Sequence, residues 1–362
     1  MSGAILLTGA TGFLGMDVLA RLIEREHEQV IVLVRAEDDT AARGRLAGVL
    51  ARLYDHAPVA AKHVRAMRGD LLEPALGLSA RDRAALVASV DRIVHCAASI
   101  SFDLPLAQAR QVNVEGVARV LELAREIAAA GTLARVVHVS TAYVSGRHEG
   151  EFGESDLDVG QQFRNTYERS KHEAEKLVRA AAADGLPLAI ARPSIVVGHR
   201  SSGWTPAFNV LYWPMRAFER GLLKEVPARE DSIVDIVPVD YVTDGLLALL
   251  EDPHAHGAYN LVAAERALTA RELVELHCAL SGREPVRFTP VGAGLPAGTE
   301  TFVPYFDVRC RFADTRAKAL LARAGVEKPD PRDYLEALIA YARLARWGKR
   351  PLSRQASFVA VG

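Results

Sequence analysis

Residues Thr8 to Gly15 read TGATGFLG and directly follow the apolar run Ala4-Ile5-Leu6-Leu7. This order predicts a buried strand, a tight glycine turn and the start of an amphipathic helix. Gly9 would allow the turn, Gly12 would let a pyrophosphate approach the backbone, and Gly15 would let the helix pack close to the strand. A helix N-terminus offers free N–H groups and a positive dipole end, so the stretch predicts a dinucleotide site, although its G-x-x-G-x-x-G spacing differs from the commoner G-x-G-x-x-G.

The charge of the chain is nearly balanced, with 44 Lys and Arg against 45 Asp and Glu among 362 residues. Because the charges are spread evenly and form no basic face, we expect no nucleic-acid partner. Cys96, Cys278 and Cys310 lie far apart, so we interpret them as small buried hydrophobes in a reducing compartment. The histidines form no metal-ligand pair at helical spacing, and we expect no metal.

The sequence shows neither a leader nor a membrane span. Its first strand starts almost at Met1, which leaves no room for a signal peptide. Its apolar runs are all too short to cross a bilayer. We therefore expect a cytoplasmic protein without a transmembrane segment.

The first half of the chain alternates strand-like and helical segments. Its strands are apolar almost throughout, which is typical of a parallel sheet covered on both faces. The alternation predicts an α/β, doubly wound parallel-sheet Rossmann fold, in which ligands bind beyond the carboxyl ends of the strands. The predicted strands are Ile5–Leu7, Val30–Val34, Val64–Met67, Ile93–Cys96, Val136–Val139 and Leu188–Ala191, and the predicted helices are Gly12–Arg25, Thr40–Tyr54, Ser79–Ser89, Pro105–Ala130 and Gln162–Ala183.

The pattern changes after about Gly198, so we divide the chain near residue 200. Residues 1–200 form the predicted dinucleotide-binding Rossmann domain, to which a strand–helix unit at about 233–263 returns. Residues 201–362 form mainly a smaller C-terminal α/β substrate lobe, with predicted helices at Leu268–Leu280, Ala313–Ala324 and Pro331–Trp347 and an extended segment at Pro285–Val291. An aromatic cluster in this lobe would be either a hydrophobic substrate channel or the core of the lobe. Its members are Trp204, Phe208, Tyr212, Trp213 and Phe218.

Tyr167 and Lys171 lie one turn apart on the same face of a predicted helix. A nearby ammonium favours the phenolate, so Lys171 would lower the pKa of Tyr167 toward the working pH. The strand before this helix ends in Ser140-Thr141, and a hydroxyl at a strand end can hydrogen-bond a substrate carbonyl oxygen. The pattern therefore predicts an acid–base site at the same sheet edge as the glycine turn.

Several motifs occur in an order that resembles the extended short-chain dehydrogenase/reductase superfamily over roughly residues 4 to 265. They are TGATGFLG, Asp70-Leu71, His95-Cys96-Ala97-Ala98, Asn113-Val114-Glu115-Gly116, Val139-Ser140-Thr141 and the Tyr167-x-x-x-Lys171 pair. Within the superfamily, the chain is more similar to fatty acyl-CoA reductases and to the thioester-reductase domains of carboxylic acid reductases and peptide synthetases. That likeness rests on Leu33-Val34-Arg35-Ala36 with Arg45-Leu46, Ser101-Phe102-Asp103, Ser140-Thr141-Ala142-Tyr143-Val144, Asn165-Thr166-Tyr167 and Arg192-Pro193-Ser194-Ile195-Val196-Val197-Gly198.

The resemblance implies a catalytic role for three residues. Tyr167 would be the general acid, Lys171 would lower its pKa and bind the nicotinamide ribose, and Thr141 would hold the same carbonyl oxygen. Asn113 would support the helix that carries the site. This arrangement stabilises the oxyanion that develops when a carbonyl is reduced.

The resemblance also implies a set of cofactor-binding residues. The Pro193-Ser194-Ile195 backbone would meet the nicotinamide amide, Asp70 and Leu71 would flank the adenine, and Ala97 and Ala98 would line the channel. The pyrophosphate would lie on the glycine turn, whose residues are Gly9, Thr11, Gly12, Phe13, Leu14 and Gly15.

The second strand ends in Val34-Arg35, where folds that prefer NAD place an acidic residue. Arg35 can pair with a 2′-phosphate, and Arg45 could join it from the following helix or simply face solvent. The acids Glu37, Asp38 and Asp39 come slightly later. We therefore expect NADPH as the cofactor of this NADP-binding domain, with NADH as the alternative.

The predicted activity is the NADPH-dependent reduction of an acyl thioester to an aldehyde, and a second hydride could give the alcohol. These residues include no adenylation or carrier module, so another protein would supply the CoA- or carrier-bound substrate. The alternative enzyme reduces free aldehydes, ketones or hydroxysteroids, and a third alternative is a protein that only senses NADPH. The last predicted helix would pack on the lobe or touch a membrane surface or a carrier protein, and the chain would be a monomer or a homodimer.

Overall fold

The computed structural model describes residues 3–25, 29–208, 211–221, 225–284, 286–293 and 300–361. The strands are β1 Ala4–Thr8, β2 Val30–Val34, β3 Val64–Arg68, β4 Val90–His95, β5 Arg135–Val139, β6 Gly150–Phe152, β7 Leu188–Pro193, β8 Ile195–Val197, β9 Glu225–Val226, β10 Ile233–Val234, β11 Ile236–Pro238, β12 Gly257–Leu261, β13 Leu268–Thr269, β14 Arg287–Phe288 and β15 Cys310–Phe312. The helices are α1 Phe13–Glu24, α2 Asp39–Leu53, α3 Ala80–Ser89, α4 Leu106–Arg110, α5 Gly116–Ala129, α6 Thr166–Ala183, α7 Tyr212–Glu219, α8 Val239–Glu251, α9 Ala270–Ser281, α10 Thr315–Arg323, α11 Pro331–Leu344 and α12 Arg354–Val361.

Seven parallel strands form the central sheet in the order β12-β7-β5-β4-β1-β2-β3. This confirms the predicted doubly wound Rossmann fold, and the returning unit supplies β12 at one edge. The strand order reverses between β1 and β4, where doubly wound sheets bind their ligands beyond the carboxyl ends.

Buried side chains on both faces of the sheet explain why its strands are apolar throughout. In β2, Val30, Val32 and Val34 pack with the core on the side of α1, α2 and α8. The alternate residues Ile31 and Leu33 join the core on the side of α3, α5 and α6. Successive side chains of a strand point to opposite faces, so two covered faces require an uninterrupted apolar run.

The helix predicted at Pro105–Ala130 is present but is not a uniform α-helix. The π-helical turn Gln111–Glu115 separates α4 from α5. The predicted helix at Leu268–Leu280 begins with the two-residue strand β13, and its α-helix, α9, is capped by Thr269 and Glu272. Of the extended segment, Pro285 lies outside the described residues, and Arg287–Phe288 is strand β14.

The C-terminal lobe packs around α11, whose apolar face includes the buried residues Tyr334, Leu335, Leu338 and Ile339. The last predicted helix was expected either to pack on the lobe or to touch a membrane or a carrier protein. Its apolar face packs on the lobe. No helix within the described ranges combines the length and the apolar character needed to cross a bilayer.

Helix α12 was not predicted, and it packs back against the Rossmann helices. The buried Arg354 guanidinium donates to Asp17 of α1 at 2.8 Å, and it also pairs with Glu24. Part of the chain after residue 201, helix α12, therefore packs on the Rossmann domain and not in the C-terminal lobe.

Candidate active site

A cavity of about 540 Å³ opens at the carboxyl ends of the central strands, a volume typical of small-ligand sites. The sequence-predicted site residues all line it, although they come from eight separate segments of the chain. They are Gly9, Thr11, Gly12, Phe13, Leu14, Gly15, Arg35, Arg45, Asp70, Leu71, Ala97, Ala98, Thr141, Tyr167, Lys171, Pro193, Ser194 and Ile195.

The glycine turn has a distinct steric reason for each of its glycines. Gly9 has φ +80°, and a Cβ there would lie 2.6 Å from the Ala97 nitrogen. A Cβ on Gly15 would collide with the Gly9 carbonyl, whereas among the described residues one on Gly12 would meet only the Gly9 oxygen, at 3.3 Å. The backbone needs Gly9 and Gly15 for folding, but Gly12 only keeps open the space in front of it.

The N-terminus of α1 faces this open space. Gly12 is the N-cap residue, and no described side chain caps the helix there. The first N–H groups of a helix lack intrahelical partners and, with the helix dipole, attract anions. The turn therefore has the free N–H groups and the open space that a pyrophosphate would need.

Two arginines lie at the end of the cavity beyond β2. Arg35 and Arg45 are both exposed and line the cavity, and the Arg45 guanidinium donates to the Arg35 carbonyl oxygen. Asp38 is engaged elsewhere, because its carboxylate caps α2 by accepting from the Ala41 N–H at 2.7 Å. Arg35 and Arg45 are therefore the cavity-lining guanidinium groups that could pair with a phosphate on the ribose.

Thr141, Tyr167 and Lys171 lie together at the other end of the cavity. Desolvation raises the pKa of Tyr167 to about 12, although its hydrogen bond with the Thr141 side chain acts in the opposite direction. Desolvation likewise lowers the pKa of the buried Lys171 to about 8, and its ammonium donates to the Val139 carbonyl oxygen at 2.7 Å. The expectation that Lys171 would bring the pKa of Tyr167 down to the working pH is thus not met, because desolvation dominates and Lys171 is bound to the strand end.

Asn113 joins the exit of β4 to the helix that carries Tyr167 and Lys171. Its amide accepts from the Ser99 N–H at 2.8 Å and donates to the Ser99 carbonyl at 3.0 Å. The same amide donates to the Ser170 hydroxyl of α6 at 2.9 Å. Asn113 is 1% exposed and lies in the π-helical turn, which interrupts the helix where its side chain makes these contacts.

Ser140 takes no comparable place in the site, although it precedes Thr141 at the strand end. Its hydroxyl donates to the buried Glu175 carboxylate of α6 at 2.7 Å. The Thr141 side chain, in contrast, lines the cavity and acts to lower the pKa of Tyr167.

Aromatic residues that the sequence analysis did not select line the cavity beside Tyr167. They are Phe102, Tyr143 and Tyr305, with Phe302 packed behind Phe102. Phe102 and Tyr143 stood in the motifs that carried the resemblance, but no role was drawn from them. Tyr305 belongs to the 3₁₀ turn Glu300–Phe306 of the C-terminal lobe, where a short irregular segment offers no periodic signal.

The aromatic cluster between Trp204 and Phe218 is the core of the lobe and of its junction with the Rossmann domain. Trp204, Tyr212 and Phe218 are buried, and the Phe208 and Tyr212 rings meet with centroids 5.2 Å apart. Among the described residues that line the cavity, none belongs to this cluster. The described members of the cluster therefore pack as core and do not line this cavity.

Comparisons with known proteins agree with the dinucleotide-binding fold of this chain. The family model of an NAD-binding domain described as male sterility protein matches residues 7–246. A linear gramicidin synthase of Brevibacillus parabrevis is 34% identical over 260 residues, which are 70% of this chain and 5% of that protein. Fatty acyl-CoA reductase 1 of Homo sapiens is 31% identical over 279 residues, 67% of this chain and 53% of that protein.

The solved terminal R domain of the myxalamid PKS-NRPS biosynthetic pathway is 26% identical, with a TM-score of 0.83, and the match covers 96% of this chain and 92% of that domain. The chain spans about half the length of the human fatty acyl-CoA reductase and a small part of the gramicidin synthase. The chain belongs to the family described as male sterility protein, whose model is that of an NAD-binding domain.

Proposed function

We propose that this protein is an NADPH-dependent reductase of a CoA- or carrier-bound acyl thioester, whose product is the aldehyde or, after a second hydride transfer, the alcohol. The observation that carries the proposal is the layout of one cavity. Thr141, Tyr167 and Lys171 stand at one end, and the glycine turn with Arg35 and Arg45 stands at the other.

Each residue at the Thr141 end of the cavity would have its own role in the reaction. A bound NADPH would supply the hydride that reduces the carbonyl carbon. The pKa of Tyr167, about 12, lies far above 7, so Tyr167 carries a proton at neutral pH that it can give to the carbonyl oxygen. Thr141 would hold the same oxygen, and Lys171 would bind the nicotinamide ribose.

The thioester class of substrate is supported by the names of the relatives. The human relative is a fatty acyl-CoA reductase, and the solved structure is a terminal R domain of a PKS-NRPS pathway. After reduction of the thioester carbon and protonation of its oxygen, loss of the thiol from the tetrahedral carbon would leave the aldehyde. CoA and a carrier protein stay alternative carriers of the acyl group, and monomer and homodimer stay alternative states. The cytoplasmic location stays a prediction.

The test is an NADPH-oxidation assay with acyl-CoAs of several lengths, acyl groups on a carrier protein, free acids and aldehydes, with each product identified. We expect oxidation with a thioester substrate, an aldehyde or alcohol product, and a preference for NADPH over NADH. Tyr167→Phe is the matched control, because it keeps the ring and removes only the proton donor. Turnover of free carbonyl compounds alone would select the alternative reductase, and NADPH binding without any turnover would favour a sensor.

A further inference from the structure

Tyr305 comes from the C-terminal lobe but contacts the first turn of the helix that carries Tyr167. Its hydroxyl donates to the Glu168 carboxylate at 2.8 Å and accepts from the Asn165 amide at 2.9 Å. Asn165 is the N-cap of α6 and accepts from the Glu168 N–H at 2.9 Å. The Tyr305 hydroxyl is therefore hydrogen-bonded both to Asn165, the N-cap of α6, and to Glu168, which follows Tyr167 in α6.

Arg164 completes what we term the Tyr305 network, which comprises Arg164, Asn165, Glu168 and Tyr305. Its guanidinium lies 3.3 Å from the Glu168 carboxylate and 5.5 Å from the centre of the Tyr305 ring, and it donates to the Pro304 carbonyl at 3.3 Å. The Arg164 and Glu168 side chains are 2% and 0% exposed. Buried polar groups must keep their partners, so the network holds the lobe turn and the start of α6 in one arrangement.

A second contact reaches Tyr167 through aromatic rings. Phe102 stacks on Tyr305, with ring centroids 5.3 Å apart and planes at 20°. The same Phe102 ring packs against Tyr167, with centroids 5.9 Å apart. Tyr305 is thus connected to Tyr167 by two routes. One runs through the first turn of α6, and the other runs through the Phe102 ring.

We propose that Tyr305 is a positioning residue through which the C-terminal lobe holds Tyr167 in its reactive orientation. This inference rests on the proposed function, because it takes Tyr167 as the proton donor. Small displacements of a reacting group slow the chemical step steeply, so the loss of the Tyr305 hydroxyl should reduce kcat more than it weakens binding.

The test compares Tyr305→Phe with Tyr334→Phe. Tyr334 is a matched control because its buried hydroxyl also makes a hydrogen bond, to the Ile236 carbonyl at 2.9 Å, within the core of the lobe. For Tyr305→Phe we expect kcat about 10-fold lower, a nearly unchanged KM for the carbonyl substrate, and a larger primary isotope effect with deuterated NADPH. For Tyr334→Phe we expect lower stability with kcat and the isotope effect unchanged.

A second variant covers the case in which Tyr305→Phe folds poorly. Asn165→Ser keeps a good N-cap residue but removes the amide that donates to Tyr305. We expect Asn165→Ser to lower kcat as well, but by less than Tyr305→Phe does. Kinetics are measured on whichever carbonyl compound the unchanged enzyme reduces, so a failure on thioesters overturns the proposed function and still leaves Tyr305 tested.

A spectroscopic readout needs no substrate at all. Carbon-13 labelling of the tyrosine Cζ atoms gives nine signals, and the spectrum of Tyr167→Phe identifies that of Tyr167. We expect Tyr305→Phe to shift the Tyr167 signal and Tyr334→Phe to leave it in place. The inference is overturned if Tyr305→Phe leaves both the Tyr167 signal and the isotope effect as they are in the unchanged protein.

Discussion

Arg192 and Glu175 form an ion pair in which neither side chain is exposed, with the guanidinium 2.6 Å from the carboxylate. The pair joins β7 to α6, and Ser140 donates to the same carboxylate at 2.7 Å. Burial acts to raise the pKa of Glu175, but the charge and hydrogen bonds of Arg192 and the Ser140 bond bring it below its usual range. The pair therefore anchors α6 to β7, and the Ser140 bond joins the same carboxylate to the strand end that carries Thr141.

Glu175→Gln should destabilise the protein by about 3 kcal/mol, because it leaves the Arg192 charge buried without its counter-charge. Urea unfolding measures the change. Glu126→Gln is the control, since Glu126 is 48% exposed on its side chain and pairs with Arg83 at 2.7 Å, and a surface pair contributes less than about 1 kcal/mol. Equal losses for the two variants would contradict the prediction.

Three glycine-to-alanine changes should separate folding from cofactor binding. Gly9→Ala should lower the unfolding temperature, because the backbone is left-handed there and the Cβ meets Ala97. Gly12→Ala should fold normally but bind NADPH roughly 10-fold or more weakly, because its Cβ enters the space reserved for the pyrophosphate.

Gly44→Ala is the control for both variants. Gly44 is exposed on α2 with no atom within 4 Å of its added Cβ, so alanine should stabilise the helix by about 0.5–1 kcal/mol and leave cofactor affinity unchanged. Thermal melts and NADPH fluorescence titrations give the two measurements. If Gly12→Ala bound NADPH as tightly as the unchanged protein, the pyrophosphate assignment would fail.

Arg35→Ala and Arg45→Ala should each weaken NADPH binding by roughly 10- to 100-fold, the effect of removing a charge-assisted hydrogen bond. NADH affinity should change little, because NADH lacks the 2′-phosphate. Arg43→Ala is the control, since Arg43 lies on α2, is exposed, and donates to Thr40 at 3.2 Å. A parallel loss of NADH affinity in the Arg35 variant would show that the arginine binds some other part of the cofactor.

The kcat/KM of the enzyme should fall as the pH rises above about 8. Lys171 has a pKa lowered to about 8 by desolvation, so its amine is charged below that pH and loses its proton above it. Tyr167, with a pKa raised to about 12, keeps its proton over the same range, so the fall reports Lys171. Steady-state rates from about pH 6 to 10, with melts at each pH to exclude unfolding, provide the measurement. A flat profile over that whole range would refute the assignment.

The parts of the site that could be predicted from sequence are those that a local pattern encodes. The glycine turn follows from a buried strand, three glycines and a helix start, all within twelve residues. Tyr167 and Lys171 could be paired because helical spacing puts them on one face. Arg35 could be assigned because strand ends in a parallel sheet meet at one edge.

Other parts could not be predicted because they depend on distant residues. The pKa of Tyr167 is raised because surrounding elements remove it from water, and no spacing in the sequence reports that desolvation. The Trp204–Phe218 cluster is apolar both as a core and as a channel, so composition could not choose between them. Helix α12 is stabilised by Arg354 and Asp17, which are separated by 337 positions in the chain.

The sequence by itself determined the doubly wound sheet, the strand–turn–helix start and the placing of Thr141, Tyr167 and Lys171 at one sheet edge, because each depends on a short period or on the ends of neighbouring strands. Only the tertiary structure decided which lobe segment meets the reactive tyrosine. Tyr305 reaches Glu168 and Asn165 across about 140 residues, and hydrogen bonds between such distant segments form only when the whole chain is packed.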